Sequence, residues 1–167
     1  MNHQATCVAF DQRRKLKDIN AGHRFDPKKA LIDPYAKGLS NLLWDRVAAC
    51  SAEDNLARSM RCEVIDTADY DWEGDKPLSR PMEDSVIYEM HVGGFTRHPS
   101  AGVEHPGSYA GVIEKIPHLK SLGVTHVELM PVMAFDRQDV PPKTASMGLT
   151  NYWGYSTHSF YAPHPHY

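Results

Sequence analysis

Two segments near the C-terminal end of the sequence have the pattern of β-strands, and the stretch between them has the pattern of a helix. Residues 86–92 (VIYEMHV) alternate with period two, and one of their faces is entirely apolar. Residues 124–130 (VTHVELM) form the second candidate strand. A strand, a crossover of about thirty residues with a helix, and a second strand together predict a right-handed parallel βαβ unit. Two parallel strands need further βα units to cover their faces, so the pattern predicts an α/β fold larger than this unit.

The crossover helix has its own start and stop signals. Ser108 stands at the N-cap position, and Gly123 fits the left-handed position that follows the end of a helix. Pro117 has no N–H to donate and should kink the helix or start a new turn. Between these signals, the apolar residues recur at helical spacing: Tyr109, Val112, Ile113, Ile116, Leu119 and Leu122.

The sequence before residue 84 gives weaker signals. Residues 39–49 (LSNLLWDRVAA) have apolar side chains at helical spacing and predict a helix of about three turns, with Ser40 as its N-cap. Residues 61–65 (RCEVI) predict a short strand. The acidic residues 66–81 are rich in turn-forming side chains, which indicates a linker between modules.

Composition argues against several classes of partner. The net charge is −3 with both signs mixed along the chain, which gives no reason to expect nucleic acid or an anionic membrane as a partner. No apolar run approaches the roughly 18–20 residues that span a bilayer, and the first residues lack a signal-peptide core. Cys7, Cys50 and Cys62 follow no metal-ligand spacing and predict reduced thiols. Together these features predict a cytoplasmic protein.

Three motifs in combination resemble a known enzyme family: YEMHVGGFT, LGVTHVELMPV and NYWGYSTHSFYAP. Residues 85–132 and 148–167 are similar to the start of the catalytic barrel of glycogen debranching enzymes and isoamylases of the α-amylase superfamily (glycoside hydrolase family 13). Residues 22–39 (GHRFDPKKALIDPYAKGL) resemble the end of the β-sandwich glycogen-binding module that precedes that barrel.

The resemblance implies three parts. These are the C-terminal part of a β-sandwich glycogen-binding module at 1–65, a linker at 66–83, and the first βα units of a (β/α)8 TIM barrel at 84–167.

The resemblance also implies an activity and a partner. Family members cleave α-1,6 branch linkages of glycogen-like glucans with retention, using an aspartate nucleophile, a glutamate acid/base and a second aspartate. Retaining chemistry requires two carboxylates about 5 Å apart. In the family these groups follow the stretch matched here, so the chain is expected to be an N-terminal fragment with no catalytic residue and no activity alone. The expected partner is glycogen or another branched α-glucan, with no cofactor and no metal.

The segment NYWGY is the candidate substrate-binding site. The resemblance makes Tyr155 the tyrosine that stacks on the sugar ring where the bond is broken, with Tyr152 and Trp153 beside it. A flat aromatic ring can pack on the C–H face of glucose while its phenol bonds a hydroxyl group. From residue types alone, a packed loop whose rings fill the rim of the core is the better interpretation, because aromatic side chains are more often core than ligand.

Four polar residues alternate with the apolar ones on the two candidate strands: Glu89, His91, His126 and Glu128. In neighbouring barrel strands they would face the interior and form a hydrogen-bonded polar layer below the active site, since buried polar groups need partners. A zinc site built from the two histidines and two glutamates is the second interpretation. A catalytic pair of Glu89 and Glu128 is the third.

The three histidines at the end of the chain, His158, His164 and His166, allow a metal interpretation. Pro163 and Pro165 impose an extended chain there, which favours surface histidines beside a substrate loop.

Two alternative functions accompany the main one. The chain could be part of a glucan branching or trehalose-forming enzyme of the same superfamily, or a non-catalytic glucan-binding remnant.

Overall fold

Six short strands pair into three two-stranded sheets within residues 26 and 28–167, the part of the chain that this computed structural model describes. The expectations for residues 1–25, including Cys7 and the first part of the predicted glycogen-binding module, lie outside the described residues. In chain order the elements are β1 Gly38–Ser40, α1 Arg46–Cys50, β2 Arg61–Glu63, β3 Ile87–Met90, α2 Val92–Thr96, α3 Tyr109–Glu114, α4 Ile116–Ser121, β4 His126–Leu129, β5 Met133–Phe135, α5 Pro142–Ser146 and β6 Thr157–Pro163.

The chain divides into two compact units, and the domain boundaries expected from the sequence stay a prediction. Of the described residues, unit 1 comprises those up to Ile65, Met133–Tyr152 and Ser156–Pro165. Unit 2 comprises Asp66–Val132, Trp153–Tyr155 and His166–Tyr167. No helix within the described residues is long and apolar enough to cross a membrane.

Unit 1 contains two antiparallel pairs, β1 with β2 and β5 with β6. The Ser159 hydroxyl on β6 donates to the Ala36 carbonyl oxygen at 3.3 Å, which joins this strand to the segment before β1. The core consists of Ala36, Leu39, Cys62, Ala134 and Ala162, with Ile32 packed against it.

The helix predicted over residues 39–49 is wrong in its first half. Leu39 lies in β1 opposite Cys62 and is buried there, so strand pairing fixes its conformation. The helix begins only at Arg46, where the Asp45 carboxylate accepts the Ala48 N–H at 3.0 Å, as an N-cap does. The apolar spacing was misleading because Leu42, Leu43 and Val47 are exposed and build no buried face. The strand predicted over 61–65 is present as the shorter β2.

Unit 2 contains the predicted parallel pair. Strands β3 and β4 are parallel, in a register that places Ile87 opposite His126 and Glu89 opposite Glu128. Met90 and Val92 are buried, whereas Tyr88 on the same face and Val127 and Leu129 on β4 are exposed. The apolar face of the pair is therefore buried only at the end of β3 and the start of α2.

The crossover follows its sequence signals closely. The Ser108 hydroxyl accepts the Gly111 N–H at 3.1 Å and caps α3. Pro117 lies in the first turn of a separate helix, α4, which confirms the prediction of a new turn. Gly123 has φ of +78°, a left-handed conformation that costs a glycine little. The short helix α2 was not predicted, and its first residue, Val92, was assigned from the sequence to the first strand.

Candidate functional site

The aromatic segment NYWGY presents its three rings to solvent. Tyr152 is 46% exposed, Trp153 54% and Tyr155 61%. Fully packed core rings would be close to zero on this measure, so the rings do not fill a core within the described residues. Each ring keeps enough free surface to stack on a flat apolar ligand, and the two phenols can also bond hydroxyl groups.

Two left-handed residues flank Tyr155. Gly154 has φ of +84° and is buried, and Ser156 has φ of +69°. Glycine adopts this conformation freely, whereas a residue with a Cβ pays about 1–2 kcal/mol for it. Both neighbours of Tyr155 therefore have a left-handed backbone, and the local strain at Ser156 is of the kind found at binding sites.

Asn151 anchors the start of the segment within unit 1. Its backbone N–H donates to the Arg137 carbonyl oxygen at 2.9 Å, and its side-chain amide donates to the Asp136 carbonyl oxygen at 3.3 Å. Two bonds from one residue fix the direction in which the chain enters the aromatic segment.

The turn after β5, to which Asn151 is bonded, begins with a fully buried carboxylate, that of Asp136. Its Oδ1 accepts the Trp44 indole N–H at 2.8 Å and the Gln138 backbone N–H at 2.8 Å, and its Oδ2 accepts from Arg46 at 2.8 Å. Arg46 also pairs with Asp139 at 2.7 Å. The hydrogen bond from Arg46 to Asp136 is the main reason that the pKa of Arg46 is raised above its ordinary value. We call these residues the Asp136 network.

Sequence reasoning missed the Asp136 network. Trp44 and Arg46 are 92 and 90 positions away from Asp136 in the chain, so no local pattern connects them. The available signal was the polar run Asp136–Arg137–Gln138–Asp139, directly after the apolar residues of β5.

In unit 2, His91 connects the end of β3 with the aromatic segment. Its Nδ1 accepts the Gly94 N–H at 2.9 Å and caps α2, and its Nε2 lies 3.1 Å from the Tyr167 hydroxyl. The imidazole ring is also perpendicular to the Trp153 indole, with 6.1 Å between the ring centroids and 84° between the planes.

Tyr167 is itself held from a second side. Its carbonyl oxygen accepts the Tyr109 N–H at 2.8 Å, and the two tyrosine rings are perpendicular at 5.8 Å. The Tyr109 hydroxyl donates to the Val132 carbonyl oxygen at 3.0 Å. His91 therefore lies among groups whose positions are fixed by other bonds.

The other three members of the predicted polar layer lie on the two strands without being buried. Glu89 and Glu128 are opposite each other on β3 and β4, and both are exposed, as is His126. His126 Nδ1 lies 2.8 Å from the Thr125 hydroxyl oxygen. The interior polar layer stays a prediction, and of its four members His91 is the one that the structure connects to the aromatic segment.

No three His, Cys, Asp or Glu side chains within the described residues converge closely enough to hold a metal ion. His164 is not the surface histidine expected from the sequence: it is buried and stacks on Phe135, with 3.7 Å between centroids and 12° between planes. At the end of β6 the side chains alternate, so that Ala162 and His164 are buried while Pro163 and Pro165 are exposed.

Curated relatives identify the family. The chloroplastic isoamylase 1 of Arabidopsis thaliana is 43% identical over 145 residues, which cover 85% of this chain and 18% of that protein. A glycogen debranching enzyme of Yersinia pseudotuberculosis is 40% identical over 159 residues, covering 90% of this chain and 23% of that enzyme. The chain belongs to the isoamylase and glycogen debranching enzyme family. It spans about a fifth of the length of these two relatives, 18% and 23%. No family model matches the chain.

Solved structures agree with this family assignment. The Group B Streptococcus pullulanase SAP in complex with maltotetraose is similar with a TM-score of 0.58 and 26% identity, over 81% of this chain and 18% of that one. The catalytic module of the pneumococcal glycogen-degrading factor SpuA is similar with a TM-score of 0.60 and 27% identity, over 81% and 20%. The α/β arrangement of this isoamylase-family chain therefore matches part of amylase-type enzymes.

Proposed function

We propose that this chain supplies part of the substrate-binding surface of a glycoside hydrolase that cleaves α-1,6 branch linkages in glycogen or a related α-glucan. The observation that carries the proposal is the exposed aromatic segment in a chain 40–43% identical to isoamylases and glycogen debranching enzymes. The names of these relatives favour debranching over the branching and trehalose-forming alternatives.

Tyr155 is the proposed centre of the sugar-binding surface. Tyr155 is more exposed than Tyr152 and Trp153, and it lies between two residues with a left-handed backbone. A glucose unit would pack its C–H face on the ring, and the phenol would bond a sugar hydroxyl group. Tyr152 and Trp153 are proposed to extend this surface to neighbouring sugar units.

Affinity electrophoresis in gels that contain glycogen tests this proposal. We expect glycogen to retard the chain, and Tyr155→Ala to reduce the retardation strongly because the stacking surface is lost. Tyr70→Ala is the matched control, since Tyr70 is 67% exposed but lies in the acidic stretch far from the segment in sequence. Unchanged mobility of the wild-type chain, or equal effects of the two substitutions, would contradict the proposal.

The proposed architecture follows the family. Residues 84–167 would form the first βα units of a (β/α)8 barrel, and residues up to 65 the end of a β-sandwich module. The parallel pair of β3 and β4 supports the first part, because the barrel is built from parallel strands.

The resemblance matches no residue of this chain to the catalytic aspartates or the catalytic glutamate of the family. We therefore expect the 167-residue chain to bind glucan without hydrolysing it, with no cofactor. Release of reducing ends from glycogen by the purified chain would contradict this expectation. A cytoplasmic location is proposed as well, by analogy with the bacterial relatives, whereas the plant isoamylases are named as chloroplastic.

A further inference from the structure

His91 has a defined tautomer, because its hydrogen bond to the helix backbone determines which ring nitrogen carries the proton. Nδ1 accepts the Gly94 N–H with its lone pair, so this nitrogen carries no hydrogen. In the neutral ring the proton is then on Nε2, which donates to the Tyr167 hydroxyl oxygen at 3.1 Å. The two hydrogen bonds fix both the flip and the rotation of the imidazole.

A glycine makes room for this arrangement. A Cβ on Gly93 would lie 3.1 Å from His91 Cε1 and 3.3 Å from Tyr167 Cε1, both tighter than ordinary van der Waals contact. A side chain at position 93 would therefore press on both rings, and glycine leaves them in place.

The fixed imidazole ring is also in contact with a ring of the aromatic segment. Trp153 packs perpendicular to it and still exposes more than half of its surface. A half-exposed indole that is free to change rotamer loses that freedom when a sugar binds, which weakens binding. A rigid neighbour reduces this loss by holding the indole in place beforehand.

We propose that His91, in its neutral Nε2–H form, is a positioning residue that holds the Trp153 indole at the sugar-binding surface. That a sugar binds at this surface rests on the proposed function, whereas the position of Trp153 rests on the observed contacts of His91. It gives His91 a role through Trp153, which differs from the buried polar layer expected from the sequence.

The decisive variant is His91→Asn. Asparagine is a good N-cap, and its side-chain oxygen can accept the Gly94 N–H in place of Nδ1. It is too short to reach Tyr167 or to pack against Trp153. A purely structural role for His91 as a cap predicts that this variant behaves like the wild type, whereas the positioning role predicts a change at Trp153.

Two readouts separate these roles. Fluorine NMR of protein that contains 5-fluorotryptophan reports Trp44, Trp72 and Trp153 separately, with Trp153→Phe to assign the third signal. We expect His91→Asn to shift and broaden the Trp153 signal and leave the other two unchanged. We also expect its affinity for maltotetraose to fall roughly threefold to tenfold, the range for one side chain that must be immobilised on binding. Tyr167→Phe removes only the hydroxyl group and should shift the same signal by less.

Each outcome decides something different. An unchanged Trp153 signal in both variants overturns the positioning role, as does an Nδ1–H tautomer of His91 in nitrogen NMR. Absence of maltotetraose binding by the wild-type chain would count against the proposed function, and the fluorine spectra would still decide the role of His91. If His91→Asn fails to fold, the spectrum of Tyr167→Phe decides alone.

Discussion

The guanidinium of Arg46 lies 2.8 Å from a carboxylate oxygen of Asp136, whose side chain has no exposed surface. The pair joins the start of α1 to the turn after β5, and Trp44 donates to the other oxygen of the same carboxylate. A buried charge with all of its partners in place is stable, but the loss of one partner leaves an uncompensated group in a poorly solvated position.

We expect Asp136→Asn to lower the free energy of unfolding of unit 1 by about 3 kcal/mol. The asparagine oxygen can still accept from Trp44, but its NH2 group would face the donors of Arg46. Urea unfolding followed by Trp44 fluorescence, in a background with Trp72 and Trp153 replaced by Phe, measures the change.

Asp139→Asn is the control for this substitution. Asp139 also pairs with Arg46 but is 32% exposed, so its loss should cost less than about 1 kcal/mol. Equal costs for the two substitutions would mean that burial of Asp136 does not set the strength of the network.

Ser156→Gly should stabilise the protein. Ser156 has φ of +69°, and glycine adopts this conformation without the clash that a Cβ causes. The gain is expected to be up to about 1 kcal/mol, reduced by the greater flexibility of glycine in the unfolded chain. Thermal unfolding measures it. Ser85→Gly, at a serine with φ of −85°, should instead destabilise, and a gain in both variants would contradict the strain at Ser156.

Local signals in the sequence predicted the parallel pair and its crossover well. The alternation of residues 86–92, the Ser108 cap, Pro117 and Gly123 each act within a few residues, and each has its expected structural role. Such signals depend on backbone geometry that the local sequence determines by itself.

Features that depend on distant parts of the chain could not be predicted in the same way. Residues 39–49 have a helical pattern, but Leu39 pairs with Cys62 in a sheet instead. Helix propensity depends only on neighbouring residues and does not include such a contact. The Asp136 network joins residues about ninety positions apart, as their sequence separations of 90 and 92 indicate. The aromatic segment was found because its residues match a family motif, whereas the contact of His91 with Trp153 required the structure.

Gly111→Ala should destabilise unit 2 although alanine is the better helix former. A Cβ at this position in α3 would overlap with the His105 carbonyl oxygen and lie 2.9 Å from the Thr96 hydroxyl oxygen. Overpacking of this kind costs about 1–3 kcal/mol, which exceeds the gain of about 1 kcal/mol in helix propensity. Denaturant unfolding gives the sign directly. A stabilised variant would mean that the loop around His105 moves aside easily.

The carboxylate of Glu114 is hydrogen-bonded to the loop before α3. We expect these bonds to make the stability of unit 2 depend on pH. It accepts the Glu104 N–H at 2.8 Å and the His105 N–H at 3.1 Å, and it lies 3.1 Å from His105 Nδ1. These bonds lower the pKa of Glu114 below its ordinary value of 4.5, and the bond from the Glu104 N–H has the largest effect. The folded state thus favours the charged form. The stabilisation is complete above the pKa of the unfolded chain and is lost as the pH falls through the lower pKa of the folded state.

We therefore expect Glu114→Gln to remove part of the acid sensitivity of the wild-type chain. The measurement is denaturant unfolding at pH values on both sides of 4.5. The difference in stability between the two proteins should shrink as the pH falls, since protonation of Glu114 weakens the same bonds that the substitution weakens. Glu104→Gln is the matched control: the bond to Glu114 comes from the Glu104 backbone N–H, which this substitution leaves in place. A Glu114→Gln difference that stays constant over this pH range would mean that these bonds do not favour the charged carboxylate.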